Sequence, residues 1–413
     1  MADVDVAVVG AGILGLATAR ELLLRHPHLH VTVVEREPTL AAHQSGHNSG
    51  VLHRGLYYTP GSLKARLCVD GALAMEEYCA EHGVTLEHVG KLIVATSQGE
   101  LPRLDELERR ARANGVPGLR RLDASELREA EPHATGVAAL HSPRTGIVDF
   151  PRVCDALADD VESAGGLIMT GTPVEEIVVS RRRIALRGPR GEVRARYAVF
   201  CAGAWSDRLA VAAGGHPDPR IVPFRGAYLK LRPDRRPLVQ GLIYPVPDPS
   251  LPFLGVHLTR HVSGDVLVGP SALLSPARDA YSLGTVRPAD LASTLAWPGT
   301  WRMIRRWWRT GISEVSVAAS RRTFVSEAAR FVPALTAADV EPGPAGVRAQ
   351  AVARDGALVD DFVFSHTDRA LHVRNAPSPA ATSSLAIARY IADQAEASFE
   401  LGPSPRIILK EPA

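Results

Sequence analysis

Apolar positions open the chain as a β-rich run over residues 4–9, recur at helical spacing over Ile13–Arg25 after a glycine-bearing turn, and return as the β-branched run Val31–Val34. Strand, turn, helix and strand in that order predict a βαβ unit. Strand-like runs over 84–96 and 165–179 alternate with helical patterns over 101–114 and 151–164, so the chain reads as α/β. Between residues 220 and 276 the apolar runs shorten and are separated by Pro and Gly (221–231, 241–244, 253–259, 265–269), which predicts a largely antiparallel sheet layered over the first unit. A Trp- and Arg-rich segment, 297–308, follows. The chain closes with a predicted strand over 371–374, a loop over 375–382 and a helix over 383–397.

Composition narrows the class. A chain of 413 residues, 46% apolar and 22% charged with a net charge of +2, is globular and long enough for roughly two to four domains. Fibrous, disordered and small disulfide-stapled classes are excluded, and nucleic acid is not an expected partner. Only Lys64, Lys91, Lys230 and Lys410 are Lys among 47 basic side chains, a skew that points to a GC-rich bacterial genome and makes each interior Lys worth following. Cys68, Cys79, Cys154 and Cys201 are too far apart for a Cys-x-x-Cys site, and a reducing cytoplasm is the simpler expectation. The longest apolar run, residues 6–19, is broken by glycines and stops at Arg20, short of the roughly 20 residues a spanning helix needs. No basic segment precedes it, so neither a signal peptide nor a membrane anchor is expected.

The first chemical signal is Gly10-Ala11-Gly12-Ile13-Leu14-Gly15, placed after a strand and at the start of a helix, with Glu35 at the end of the next strand. Gly10 permits the tight turn, Gly12 lets backbone approach a pyrophosphate, and Gly15 lets helix pack on strand. Glu35 is placed to accept from ribose hydroxyls. The loop His43-Gln44-Ser45-Gly46-His47-Asn48-Ser49-Gly50-Val51-Leu52-His53 has little propensity of its own and needs a reason to be ordered. Lining an extended dinucleotide with its backbone N–H groups, Ser45, Asn48 and Ser49 is one; a mobile surface loop is the alternative. Its three His lack a carboxylate or a second His/Cys cluster at ligand spacing, so no metal is expected.

The run from His43 to Ala65, continuing through Arg54-Gly55-Leu56-Tyr57-Tyr58-Thr59-Pro60-Gly61-Ser62-Leu63-Lys64, resembles the signature of the L-2-hydroxyglutarate oxidase/dehydrogenase family, within the D-amino acid oxidase-like FAD superfamily. Lys91-Leu92-Ile93-Val94-Ala95, Val246-Pro247-Asp248-Pro249, Pro252-Phe253-Leu254-Gly255-Val256-His257, Gly346-Val347-Arg348-Ala349-Gln350 and Asn375 to Ser383 are similar to its other motifs. The resemblance implies noncovalent FAD, a Rossmann-like domain of glutathione-reductase-like topology, and oxidation of a 2-hydroxy acid, by default L-2-hydroxyglutarate, to the 2-oxo acid. Three positions depart from the family pattern. Arg54 stands where a small residue is usual, Ala227 where an acid follows Arg225-Gly226, and Ser271, after Gly269-Pro270, where the family often has Asn. If they face the substrate, they point to a relative of 2-hydroxyglutarate.

Two further segments suit a flavin. The run Ala198-Val199-Phe200-Cys201-Ala202-Gly203-Ala204-Trp205 is an apolar strand ending in small residues, although a buried strand entering a helix reads the same way. The helix predicted from Ser383 would aim its positive pole at the flavin, and Thr382 or Ser383 could equally serve as plain caps. The cofactor-binding set is therefore Gly10, Gly12, Ile13, Leu14, Gly15, Glu35, Arg36, Ser45, Asn48, Ser49, Gly50, Val174, Ala202, Gly203, Trp205, Ala380, Ala381, Thr382 and Ser383.

Oxidising an alcohol beside a carboxylate requires removal of the hydroxyl proton and transfer of the Cα hydride to flavin N5. His53 is the expected base, with His257 in reserve. Arg348, Lys64, Tyr57, Tyr58 and Arg225 are expected to anchor the carboxylates, whereas Lys91 and Lys230 read as solvated strand positions. Residues 297–309 read as a cap helix with Arg stems on Trp faces, or as a surface touching anionic lipid, which would suit a membrane quinone as electron acceptor; oxygen is the other acceptor. The expected organisation is a discontinuous FAD-binding domain (1–83, 141–215, 340–413) and a substrate domain (84–140, 216–339). An amino acid or amine oxidase of the same superfamily, or a related 2-hydroxy acid oxidase specialised for a biosynthetic pathway, is the alternative activity.

Overall fold

The computed structural model describes residues 2–251 and 253–402; Met1, Pro252 of the family motif and residues 403–413, Lys410 included, lie outside the described residues. Ala2–Val9 is a central strand of an eight-stranded sheet, flanked in parallel by Val31–Val34 on one side and Gly191–Phe200 on the other. Val6 and Val8 are buried on one face and Ala7 and Val9 on the other, which is why this strand reads as an unbroken apolar run rather than an alternating one. Leu167–Met169 extends the sheet beyond Val31–Val34. Gly191–Phe200 is long enough for its outer edge to hold two partners, the antiparallel strand Ile184–Gly188 and, at its end, the parallel strand Ala370–Asn375. The C-terminal strand thereby joins the N-terminal βαβ unit. Helices Ile13–Arg25, Phe150–Ser163, Leu63–Glu81 and Ser384–Ser398 cover one face, and Leu16, Leu22, Leu157 and Ile387 close the core between them.

A nine-stranded sheet follows Leu273–Leu274, Arg220–Leu231, Val266–Gly269, His257–Arg260, Leu242–Pro245, Lys91–Ala95, Ala138–Ser142 and Arg120–Asp123. Its pairs are antiparallel except Leu242–Pro245 with Lys91–Ala95. Two boundaries differ from the sequence expectation. Val340–Val352, assigned to the FAD-binding part, pairs along Arg220–Leu231 in this second sheet, because its apolar side chains complete that sheet's core. Ala138–Ser142 likewise pairs with Lys91–Ala95, so the second sheet continues past residue 140. A third, small sheet of Val51–Leu52, Gly146–Val148 and Leu86–His88 fastens the loop 43–53 to the body of the protein.

The Trp- and Arg-rich segment is part of a longer helix, Pro298–Ala319, with non-helical angles at Trp307. Trp297 and Met303 are buried, while Trp301, Trp308, Ile312 and Val315 lie exposed. Among the described residues, no helix is long and apolar enough to cross a membrane.

Candidate active site

The ends of the first-sheet strands, the loop 43–53 and the start of the last helix meet at one cavity of about 1080 Å³, roofed by the second sheet. That volume is at or above the upper end for a single drug-sized ligand, as a dinucleotide plus a small substrate requires. The glycine turn forms one end. Gly10 has φ +108°, and a Cβ there would lie 2.5 Å from the Cys201 carbonyl oxygen; at Gly15 it would lie 1.8 Å from that of Gly10. Only glycine lets helix and strands close this tightly. Glu35 accepts from Ala11 N at 2.7 Å and from Glu37 N at 2.9 Å, so its carboxylate is held at the strand end with lone pairs to spare for ribose hydroxyls. The Ser45 hydroxyl accepts from Ile13 N at 2.9 Å, docking the loop on the helix N-terminus. Arg36 lies over the Trp205 ring at 4.0 Å.

The loop is ordered by spending its own side chains. Asn48 donates to the carbonyls of Gln44 and Ser45 and accepts from Gly50 N. His47 stacks on Tyr281 at 3.8 Å, and His43 lies between Tyr281, at 3.1 Å from its hydroxyl, and Glu37, at 3.0 Å. Two of the three loop His are thus packing and docking groups. Among the described residues, no group of three His, Cys, Asp or Glu is placed to hold a metal.

Of the cofactor set, Gly10, Gly12, Ile13, Leu14, Glu35, Arg36, Ser45, Asn48, Ser49, Val174, Ala202, Gly203, Trp205, Ala380, Ala381 and Thr382 line the cavity. Gly15, Gly50 and Ser383 do not; they sit behind the wall, where Gly15 meets Gly10, Gly50 meets Val148 and His261, and Ser383 meets Gly71. The Thr382 hydroxyl caps no helix. It donates to Val51 O at 3.2 Å and accepts from His53 N at 3.1 Å, and Ser383 makes no side-chain cap, so the positive pole of Ser384–Ser398 is left to the cavity side.

The cavity wall also carries His53, Tyr57, Tyr58, Lys64, His257 and Arg348. Arg348 is exposed to the cavity and lies over Phe253 at 4.9 Å. The Lys64 ammonium donates to the backbone and carboxylate oxygens of Asp360, both at 2.9 Å, and burial lowers its pKa. The Gly255 carbonyl can only accept, so His257, 2.9 Å away through Nδ1, carries its proton there and keeps Nε2 as an acceptor. Burial pushes His257 down to about 3 and His53 well below the usual histidine range; the Lys91 charge lowers both further. At neutral pH both are proton acceptors.

Arg225 is not part of this wall. Its guanidinium donates to Ala280 O at 3.0 Å and Tyr281 O at 3.4 Å, tying down the segment that stacks on the loop. Lys91 is not solvated either: it is fully buried, because its strand lies inside the second sheet. Lys230 is half-buried and pairs with Glu341. Of the three departures from the family pattern, Ser271 lines the cavity, whereas Arg54 is buried in an ion pair with Glu76 and Ala227 lies off the wall. Sequence reasoning missed Asp360, Tyr228 and Tyr244, all on the wall. An acidic pair in a loop and lone tyrosines in apolar strands were the only local signs of them.

Comparison with known proteins accords with this geometry. The model for the FAD dependent oxidoreductase family (DAO) matches residues 5–394. The chain is 48% identical to a Nematostella vectensis protein named L-2-hydroxyglutarate dehydrogenase, mitochondrial, covering 96% of this chain and 91% of that one. It is 46% identical to a Bos taurus protein of the same name, over 96% and 89%. Among solved structures, the dithionite-reduced L-α-glycerophosphate oxidase of Mycoplasma pneumoniae with FAD bound superposes with a TM-score of 0.78 at 24% identity, covering 95% of this chain and 94% of that one. The glycine-built turn, the strand-end acid and the docked loop fit FAD, and this chain belongs to the FAD-dependent oxidoreductase family of D-amino acid oxidase type, as an enzyme acting on a CH–OH group.

Proposed function

We propose that this enzyme oxidises the C2 hydroxyl of L-2-hydroxyglutarate to the 2-oxo group. FAD, when bound, would supply a two-electron acceptor for the C2 hydride. The observation that carries the reading is the meeting, on one wall, of two neutral imidazoles with two cations. Arg348 presents a planar fork to one carboxylate, while Lys64 is held by Asp360 as a second positive charge. The His53 imidazole, with His257 in reserve, then accepts the hydroxyl proton, and the phenols of Tyr57 and Tyr58 orient the substrate oxygens. The names of the curated relatives support the dicarboxylate. The retreat of Arg54 and Ala227 from the wall leaves Ser271 as the one departure that touches the substrate space.

Anaerobic bleaching of the bound flavin tests the reading. L-2-hydroxyglutarate is expected to reduce it, and glutamate and simple amines are not; reduction by an amino acid instead of the hydroxy acid would favour the amine oxidase alternative.

We infer further that the face bearing Trp301, Trp308, Ile312 and Val315, with Arg305 and Arg309 on the same helix, meets anionic lipid, which supports a membrane quinone as electron acceptor. Co-sedimentation with anionic but not zwitterionic vesicles checks this. The four cysteines are free and buried, which supports a reducing, cytoplasmic setting.

A further inference from the structure

Lys91 begins the strand Lys91–Ala95, between Leu242–Pro245 and Ala138–Ser142, so its backbone is fixed by ladders on both sides. Its side chain is fully buried, and its ammonium has no hydrogen-bond partner. It lies 3.6 Å from the centroid of Tyr244 and 4.7 Å from that of Tyr57, both of which line the cavity. Tyr244 also stacks on the His257 ring, 4.0 Å away at 25°. The groups facing Lys91 are therefore aromatic or neutral. Helix Leu63–Glu81 contributes Cys68, whose thiol burial pushes up to about 12, and burial raises both phenols. Lys91 takes part in none of the ion pairs among the described residues. A buried cation without a counter-ion is costly, and two aromatic faces recover only part of that cost. Such a charge is held for what its field does to its neighbours. In a chain whose interior cations are mostly Arg, a compact ammonium is also the one that fits between two rings.

We propose that Lys91 is a positioning residue of the active site: its ammonium, fixed behind the Tyr57–Tyr244 wall on which His257 stacks, opposes a second positive charge on His53 and His257 and adds positive potential for an anionic substrate. Burial brings Lys91 down to about 7, above both imidazoles, so it is charged where they would titrate and loses that charge as pH rises through about 7. The charged groups around the imidazoles are Lys91, Lys64 and each other; around Lys64 they are Asp360, Asp361 and Arg348.

The inference rests on His53 and His257 being the proton acceptors, and the test separates the two. In the FAD-loaded enzyme, kcat/KM for L-2-hydroxyglutarate is followed against pH, and histidine titrations are read by NMR with labelled imidazole carbons. Lys91→Met is expected to move the acid limb, and the titration of at least one histidine, upward by about one pH unit. Lys91→Arg is expected to restore the wild-type limb even at reduced kcat. A limb that stays in place in Lys91→Met while kcat/KM merely scales overturns the proposal. If Lys91→Met does not retain flavin, Lys91→Arg decides: a wild-type limb supports the charge, a raised one overturns it. Failure of the underlying reading looks different, because the acid limb would then persist in both His53→Asn and His257→Asn.

Discussion

The backbone N–H of His53 donates to the hydroxyl of Thr382 at 3.1 Å, across a sequence separation of 329 residues, and that hydroxyl donates onward to Val51 O at 3.2 Å. One side chain at the start of the last helix therefore sets where the loop 43–53 ends and where its histidine stands. Thr382→Val keeps the shape and removes both bonds. We expect kcat/KM to fall by about 10- to 100-fold, mostly in kcat, since misplacing a reacting group by an ångström costs about that much. Flavin content should stay near stoichiometric, and steady-state kinetics on the purified variant check it.

Arg348 lines the cavity, over the Phe253 ring. Arg348→Met should lower kcat/KM for the dicarboxylate by about 100-fold, chiefly through KM, with a smaller loss for a 2-hydroxy acid lacking the second carboxylate. Arg348→Lys should recover only part of this, because an ammonium lacks the bidentate geometry.

Arg278 and Asp207 form a buried ion pair that ties the helix Ser206–Ala212 to the second sheet. Arg278 also donates to Ala204 O and to Ile221 O at 3.3 Å, while Asp207 accepts from Ile221 N at 3.1 Å. Removing one partner strands the other charge out of water. Arg278→Met is expected to cost about 3–5 kcal/mol in chemical denaturation, and the double variant with Asp207→Leu less than the sum of the single losses.

Acid should destabilise the fold through its buried neutral histidines. Burial pushes His372 down to about 4, and it packs on Phe200 at 4.8 Å, away from the cavity. The unfolded chain binds this proton near pH 6.5 and the folded one does not, so each such histidine should remove about 1.4 kcal/mol of stability per pH unit as pH falls from about 6.5 to about 4. Urea unfolding at pH 7 and pH 5 should show this loss, and His372→Phe should reduce its slope.

Short-range chemistry carried much of the fold and part of the site. The helix Ile13–Arg25 and strand Val31–Val34 lie where periodicity places them, because both faces of the central strand are buried and a glycine turn has few alternatives. Tyr57, Tyr58, Lys64 and His53 were legible as one contiguous run, and all four line the cavity. Arg225 and Lys91 were not. Each sits on a strand whose neighbours come from distant segments, so local pattern could not say that Arg225 would turn to Ala280 or that Lys91 would be sealed between Tyr57 and Tyr244.

The order of apolar and polar residues, with glycines that tolerate no side chain, determined by itself the dinucleotide turn and the α/β character. Tertiary structure alone decided which cations face the cavity, which histidines are spent on packing, and that Val340–Val352 completes the second sheet rather than the first. The physical reason is that propensity and period act over a turn or a strand. Burial and charge depend on the whole surrounding volume, which only the assembled sheets create.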